Sequence, residues 1–147
     1  FLLIDMPPGT GDIALSLSQY LPRAEVYVVT TPQAAAQKVA RLSAAMAKKV
    51  NMSVRGVIEN MSWFVGDDGK RYELFGSGGG KSLAEELGVP LLAQIPLVNQ
   101  LREGGDEGKP IAAVAPQSEV GLAFADLAAK IVALRPKKVF SQALKVN

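Results

Sequence analysis

Four short apolar runs, separated by stretches with helical periodicity, constrain the fold of this 147-residue chain more than any other feature. The runs cover residues 1–4, 25–30, 54–59 and 90–95. The first run lacks the polar alternation of a strand with one solvated face, so we expect residues 1–4 to form a central parallel strand covered on both faces. The other three runs are strand-like. Strands that alternate with helices predict an α/β fold, a mostly parallel sheet with flanking helices.

The longest helical pattern lies between residues 33 and 50. Its large apolar side chains recur at helical spacing, whereas most of its basic residues lie off that line. We therefore expect an amphipathic helix with one apolar stripe. The stripe consists of Val39, Leu42, Met46 and Val50.

Three further segments carry local signals. Residues 78–87 predict a short helix followed by Gly88, a common residue at the end of a helix. A helix of about 18 residues is expected to start after Ser118, a candidate N-cap, and to end before Pro136. Residues 63–75 predict a small hairpin, because a Gly-Asp-Asp-Gly turn separates Trp63-Phe64-Val65 from Arg71-Tyr72-Glu73-Leu74-Phe75.

The chain contains no cysteine and no histidine. Disulfides, thiol catalysis, zinc fingers and Ser-His-Asp triads are therefore excluded within it. No apolar run approaches the roughly 18 residues of a membrane helix, and no signal-peptide pattern is present, so we expect a cytoplasmic protein with no membrane partner.

The net charge of +2 depends on the last residues of the sequence. Residues 135–147 contain four basic and no acidic side chains, so the preceding residues are slightly acidic. We expect residues 1–135 to form the folded part and residues 136–147 a basic tail. Proteins that bind nucleic acid usually cluster basic residues on a folded face, so we expect no nucleic-acid partner.

Two glycine-containing segments approach the phosphate-binding loop GxxxxGK[ST] without matching it. In residues 6–13, Asp12 stands in place of the lysine and would face phosphate oxygens with the wrong charge. In residues 75–82 the Gly-Lys-Ser ending is present, but Phe75 replaces the first glycine. A glycine-rich helix start can hold an anion, although such glycines more often form only a tight turn.

The first twelve residues favour a different nucleotide motif. An apolar strand that ends in Asp5, followed by a Gly/Pro loop, is the Walker B arrangement of P-loop ATPases. An aspartate at the end of such a strand can hold Mg²⁺, which prefers oxygen ligands. The alternative is that Asp5 only caps the next turn.

Seven further segments follow one another in an order that is typical of one family. They are LIDMPPGTGD (3–12), VTTPQ (29–33), GVIENMS (56–62), FGSGGG (75–80), LGVPLL (87–92), QIPL (94–97) and GKPI (108–111). Together they resemble the Mrp/ApbC ATPases, which are iron–sulfur cluster carriers in the MinD/ParA group of deviant P-loop ATPases. The resemblance covers nearly all of residues 2–132, and PPGTGD and ENMS are its most specific parts.

The resemblance implies part of a P-loop NTPase fold, with the nucleotide beyond the carboxyl ends of the strands. Asp5 would hold Mg²⁺ as the Walker B residue, and Asn60 would hydrogen-bond the adenine edge; the alternative for Asn60 is a helix cap or turn residue. The other implied residues are Pro8, Gly9, Thr10, Gly11 and Asp12 in the switch II loop, and Thr31, Pro32, Ile95, Pro96 and Leu97 around the base.

Two departures from the family pattern bear on activity. The family's Walker A loop and switch I aspartate lie upstream of a segment like residues 1–12, so we expect a C-terminal portion of a longer protein that is inactive alone. Many members carry Cys-x-x-Cys where residues 66–69 read Gly-Asp-Asp-Gly, and there two subunits hold a [4Fe–4S] cluster. Carboxylates are poor ligands for such clusters.

The sequence therefore favours a fragment of an ATP- and Mg²⁺-dependent iron–sulfur cluster carrier. By resemblance, the full-length protein would form a homodimer and deliver clusters to iron–sulfur client proteins. Two alternatives remain open at this point: a MinD/ParA-like positioning or partition ATPase, and a non-catalytic module that docks a protein partner.

Overall fold

The computed structural model describes residues 1–6 and 11–135. Helices and strands alternate along this part of the chain, as the sequence predicts. The helices are α1 (Gly11–Tyr20), α2 (Ala34–Lys49), α3 (Gly79–Leu87), α4 (Asn99–Asp106), α5 (Ile111–Val114) and α6 (Glu119–Leu134). The strands are β1 (Glu25–Thr30), β2 (Ser53–Val65), β3 (Arg71–Tyr72) and β4 (Leu91–Leu97).

The long strand β2 is the centre of the sheet. β1 and β4 both pair with it in parallel, and Val57 of β2 lies beside Val28 on one side and Leu91 on the other. β3 pairs antiparallel with the end of β2, where Tyr72 faces Phe64. The mostly parallel sheet is confirmed. The predicted hairpin is present as a direct continuation of β2, with a second strand of two residues.

Helices cover both faces of this sheet. Successive residues of a strand point to opposite faces, and Val57 and Ile58 of β2 accordingly belong to different core clusters. The first cluster joins β1 and β2 to α2 and α3, through Val28, Ala40, Ala44, Val57, Leu83 and Ala84. The second joins β4 to α5 and α6, through Ile95, Ile111 and Val120. β2 therefore meets a core cluster on each face, whereas Val29 of β1 is 59% exposed.

Residues 1–4 do not form the predicted central strand. They have no strand conformation, and Phe1, Leu2 and Leu3 are 95%, 78% and 83% exposed. The prediction is wrong because an apolar run becomes a strand only through hydrogen bonds to a neighbouring strand, and no described strand pairs with these residues. Composition alone could not supply that neighbour.

Helix α2 buries alanines rather than its large apolar residues. Ala44 is completely buried, whereas Val39 and Leu42 are 60% and 66% exposed. The predicted stripe, in which Met46 and Val50 are only partly buried, therefore does not form the core face. α2 packs against both the sheet and α3, where the buried residues Ala40, Ala44 and Ala47 allow close approach. Both stripes have helical spacing, so periodicity alone could not separate them.

Two substitutions on α2 test which face is the core. Ala44→Leu is expected to lower the free energy of unfolding by about 1–3 kcal/mol, because added atoms must displace a packed core. Leu42→Ala, on the exposed face, is expected to change it by at most about 0.5 kcal/mol. Urea unfolding followed by circular dichroism measures both. The reverse ranking would show that the large side chains are the buried ones.

The ends of the other predicted helices agree with the sequence signals. Ser118 is the N-cap of α6, and its Oγ accepts a hydrogen bond from the Gly121 N–H at 3.1 Å. Gly88 follows α3 with φ of +68°, a conformation that favours glycine. Pro136 and the basic tail of residues 136–147 lie outside the described residues. Within the described ranges, no helix has the length and apolar character needed to cross a membrane.

Candidate functional site

The parallel strands β1 and β4 end on opposite sides of β2, which runs on to Val65 in the hairpin; β1 ends beside Glu59, and β4 ends beside Phe64. Thr30 of β1 pairs with Glu59 of β2, and the next residue, Asn60, pairs with Ile95 of β4. We call this region the carboxyl edge; it comprises Thr31, Pro32, Glu59, Asn60, Gln94, Ile95, Pro96 and Leu97. Ligands of open parallel sheets bind beyond such an edge.

Asn60 lies at a strained point of β2. Its Oδ1 accepts a hydrogen bond from the Met61 N–H at 2.9 Å, and Met61 has φ of +55°, which is costly for a residue with a side chain. The acceptor is thus held against its own backbone. The side-chain NH₂ of Asn60 has no partner within residues 1–6 and 11–135, so it remains a free donor. Asn60 therefore serves as a turn residue and retains a free side-chain donor.

The other residues predicted to border a base differ in accessibility. Thr31 and Leu97 are partly exposed. Ile95 is 2% exposed and belongs to the second core cluster, while Pro96 is fully buried. The structure brings all of these residues to the carboxyl edge, but Ile95 and Pro96 form its floor rather than its surface.

Glu59 is a buried polar residue of the carboxyl edge that the sequence analysis did not single out. Its side chain is 1% exposed. Oε2 accepts a hydrogen bond from the Gly80 N–H at 2.5 Å, and Oε1 accepts one from Gln94 Nε2 at 2.8 Å. The signal that could have identified it was an acidic residue that directly follows the apolar Val57 and Ile58 in a predicted strand.

The glycine-rich segment at residues 76–80 is tightly packed. A Cβ at Gly80 would lie 2.7 Å from Glu59 Cβ, and a Cβ at Gly79 would overlap the Pro32 carbonyl oxygen. The first turn of α3 is therefore occupied by protein atoms, including the Glu59 carboxyl group. The structure favours the tight-turn interpretation of this segment over an open phosphate loop.

The Walker B segment is described only in part. Asp5 is exposed, and the described residues around it form no strand that pairs with the sheet. The structure therefore does not hold Asp5 at the carboxyl edge. Gly11 and Asp12 lie in the first turn of α1. Pro8, Gly9 and Thr10 lie outside the described residues. Their roles with Mg²⁺ and phosphate remain predictions.

The Gly-Asp-Asp-Gly turn uses one of its carboxylates internally. Asp68 accepts hydrogen bonds from the Lys70 N–H at 3.0 Å and the Tyr72 hydroxyl at 2.8 Å. The first of these bonds, aided by the second, lowers the pKa of Asp68, and the carboxylate in turn raises the pKa of Tyr72. No cluster of three acidic side chains suited to a metal ion occurs in the described part of the chain.

The titration of Tyr72 tests this turn. Asp68→Asn removes the carboxylate that holds the phenolic proton, so the pKa of Tyr72 is expected to fall towards its ordinary value. A pH titration of the phenolic carbon by NMR measures the change, with Asp67→Asn as the control that should leave Tyr72 unaffected. Because the pKa of folded Asp68 is lowered, its contribution to the turn is present above the unfolded carboxyl pKa and is lost as pH falls through the folded value. An unchanged Tyr72 titration would mean that the two side chains do not interact.

The hairpin is fastened to α6 as well as to β2. The Arg71 guanidinium lies 4.4 Å from the centre of the Trp63 ring and forms an ion pair with Glu119 at 2.8 Å. A cation over an aromatic face is attracted by the negative ring face. These contacts fix the hairpin beside the start of α6.

A family model supports the identification reached from the sequence. The model described as ParA, the NUBPL iron-transfer P-loop NTPases, matches residues 1–132. The chain belongs to this family. The expected relationship to the deviant P-loop ATPases is confirmed.

Curated relatives of this family share the same region. The chain is 45% identical over 133 residues to the iron-sulfur cluster carrier protein of Synechocystis. The matched region covers 89% of this chain and 38% of that protein. It is 48% identical over 126 residues to the protein of the same name from Mycobacterium leprae, covering 82% of this chain and 33% of the relative. The chain therefore spans well under half the length of these relatives.

Solved structures agree with the fold. The cell division ATPase MinD of Pyrococcus furiosus matches 74% of this chain and 43% of its own, with a TM-score of 0.60 at 24% identity. A nucleotide-binding protein of Archaeoglobus fulgidus, solved in complex with ADP, matches 79% of this chain and 47% of its own, with a TM-score of 0.57 at 29% identity. The P-loop NTPase fold is confirmed, and the curated relatives bear the name of iron–sulfur cluster carriers rather than of positioning proteins.

Proposed function

We propose that this chain is the carboxyl-terminal, base-recognising part of an ATP-dependent iron–sulfur cluster carrier. The free donor of Asn60 at the carboxyl edge is the observation that supports it best. In the proposed protein, residues 1–135 complete an ATPase domain and residues 136–147 form a basic tail.

The groups at the carboxyl edge fit an adenine base. An asparagine amide matches the adjacent acceptor and amino group of adenine. Asn60 has a free NH₂ donor, and its Oδ1 retains one lone pair beside the bond from Met61. Bound Mg²⁺–ATP would supply the phosphoryl group, with Asp5 as the proposed magnesium residue and residues 9–12 as the switch loop.

The iron–sulfur cluster is the proposed cargo, and this chain's own residues do not fit it. Thiolates are the usual ligands of such clusters, and the sequence has neither cysteine nor histidine. We assign no residue here to the cluster. We propose that the longer polypeptide forms the homodimer, binds the client proteins and is cytoplasmic.

ATP hydrolysis tests this proposal. The 147-residue chain is expected to show no measurable turnover, because the sequence has no Walker A loop to place positive charge on the phosphates. A polypeptide extended at the amino terminus to the length of the relatives is expected to hydrolyse ATP, and Asp5→Ala should abolish that activity. Phosphate release measures both. Turnover by the 147-residue chain that Asp5→Ala removes would contradict the expectation.

A further inference from the structure

Glu59 links three elements at the carboxyl edge. Its backbone belongs to β2, one carboxyl oxygen binds the start of α3, and the other binds Gln94 of β4. We propose that Glu59 is a positioning residue that holds Asn60 in place for base recognition. This inference rests on the proposed function, because Asn60 is the group that it positions.

The carboxyl group of Glu59 acts as the cap of α3. The first N–H groups of a helix have no partner within the helix, and Gly78 before α3 offers no side chain to accept from them. Glu59 Oε2 accepts from Gly80 instead, where the positive end of the helix dipole favours a negative group. The helix start that resembles a phosphate loop is thus occupied by an acid of the chain itself.

The packing leaves Glu59 little freedom. With 1% of the side chain exposed, its place is set by its neighbours. Glycine at position 80 allows this contact, because any other residue would place its Cβ only 2.8 Å from Glu59 Oε2. Gln94 fixes the second oxygen at 2.8 Å. The orientation of β2 at this point is therefore locked from two sides.

The hydrogen bonds of the Glu59 carboxyl group lie next to the strained turn of β2 that contains Asn60. Ser62 Oγ donates to the Glu59 carbonyl oxygen at 3.1 Å, and Asn60 Oδ1 holds the Met61 N–H. A positive φ at Met61 persists only where the surroundings impose it. Without the Glu59 carboxyl group, the anchor on the preceding side of this turn is lost, and Asn60 no longer has one fixed direction.

Binding of two probes by the extended polypeptide separates positioning from general damage. Glu59→Ala is expected to weaken ATP binding about tenfold, which corresponds to the loss of one good hydrogen bond to the base. Tripolyphosphate, which has no base, should bind within about twofold of the unmodified protein, since its contacts are on the phosphate side. Isothermal titration measures both. The exposed Glu85→Ala on α3 is the matched control and should change neither.

A conservative variant should rescue binding. Glu59→Gln keeps an acceptor for the Gly80 N–H, and the Gln94 amide can turn to accept from the new NH₂. ATP binding is then expected within about threefold of the unmodified protein, as both hydrogen bonds survive. If Glu59→Ala does not fold, Gln94→Ala removes only the β4 anchor and is expected to weaken ATP but not tripolyphosphate. Equal weakening of both probes, or unchanged ATP binding, overturns the inference.

A different result would show that the proposed function, rather than the positioning role of Glu59, is wrong. If the unmodified extended polypeptide binds neither probe, the proposed function is wrong, and hydrogen exchange on the 147-residue chain decides the role of Glu59. Glu59→Ala should then speed exchange of the Gly80 and Met61 amides while Leu127 in α6 stays protected. Uniform acceleration at all three amides, or none, overturns the positioning role.

Discussion

Gly79→Ala is expected to destabilise the chain by about 3 kcal/mol, the largest effect that we anticipate for a single added methyl group. The new Cβ would overlap the Pro32 carbonyl oxygen and Gln37 Nε2, and the first of these is a backbone atom. Gln37 Nε2 also donates to that same carbonyl at 2.8 Å, so the contact cannot relax without breaking a hydrogen bond. Urea unfolding measures the loss.

Gly105→Ala is the matched control. Gly105 lies in α4, and no atom lies within 4 Å of the position that its Cβ would take. Alanine restricts the unfolded chain and favours the helix, so a gain of about 0.5–1 kcal/mol is expected. If Gly79→Ala were as stable as Gly105→Ala, the close packing of α3 on the Pro32 loop would be refuted.

The second large effect concerns the cluster. After anaerobic reconstitution with iron and sulfide, followed by desalting, the 147-residue chain is expected to be colourless and free of iron. Oxygen ligands do not retain a [4Fe–4S] cluster against competing thiols, and the chain has no cysteine or histidine. Visible absorbance and iron content measure the result. A brown, iron-containing chain would contradict the expectation.

The same reconstitution of the extended polypeptide separates two accounts of its cargo. A cluster that survives desalting would place its ligands outside the 147 residues and support the carrier function with altered ligation. A protein that binds ATP and dimerises but holds no iron would mean that the ATPase is retained while the cargo has been lost or changed.

Local signals predicted much of the fold. The bounds of β1 and the Ser118 cap of α6 follow from apolar runs and from capping chemistry, both of which depend on neighbours in sequence. The sequence predicted that residues 1–4 form a strand, but strand pairing depends on a partner that composition does not reveal. In α2, the stripe of large apolar residues and the stripe of alanines have the same helical spacing. The alanines are the buried ones, because small side chains allow close packing.

The candidate site was predictable to a similar extent. The family motifs indicated Asn60, Thr31 and Leu97. The parallel pairing of β1 and β4 with β2 places these residues in the carboxyl edge. The role of Glu59 depends on Gly80 and Gln94, which lie 21 and 35 residues away in sequence. Such a three-way contact cannot be read from spacing within one segment.

Binding of ATP to the extended polypeptide and to its Asn60→Ala variant tests the central claim most directly. Isothermal titration with Mg²⁺ present compares the two dissociation constants. The control is Asn51→Gly, because Asn51 is exposed, has a positive φ that glycine tolerates, and precedes the amino end of β2. The account predicts binding that is about tenfold weaker for Asn60→Ala and unchanged for Asn51→Gly, as expected for loss of a hydrogen bond to the base. Equal affinity of Asn60→Ala and the unmodified protein for ATP would contradict base recognition at the carboxyl edge.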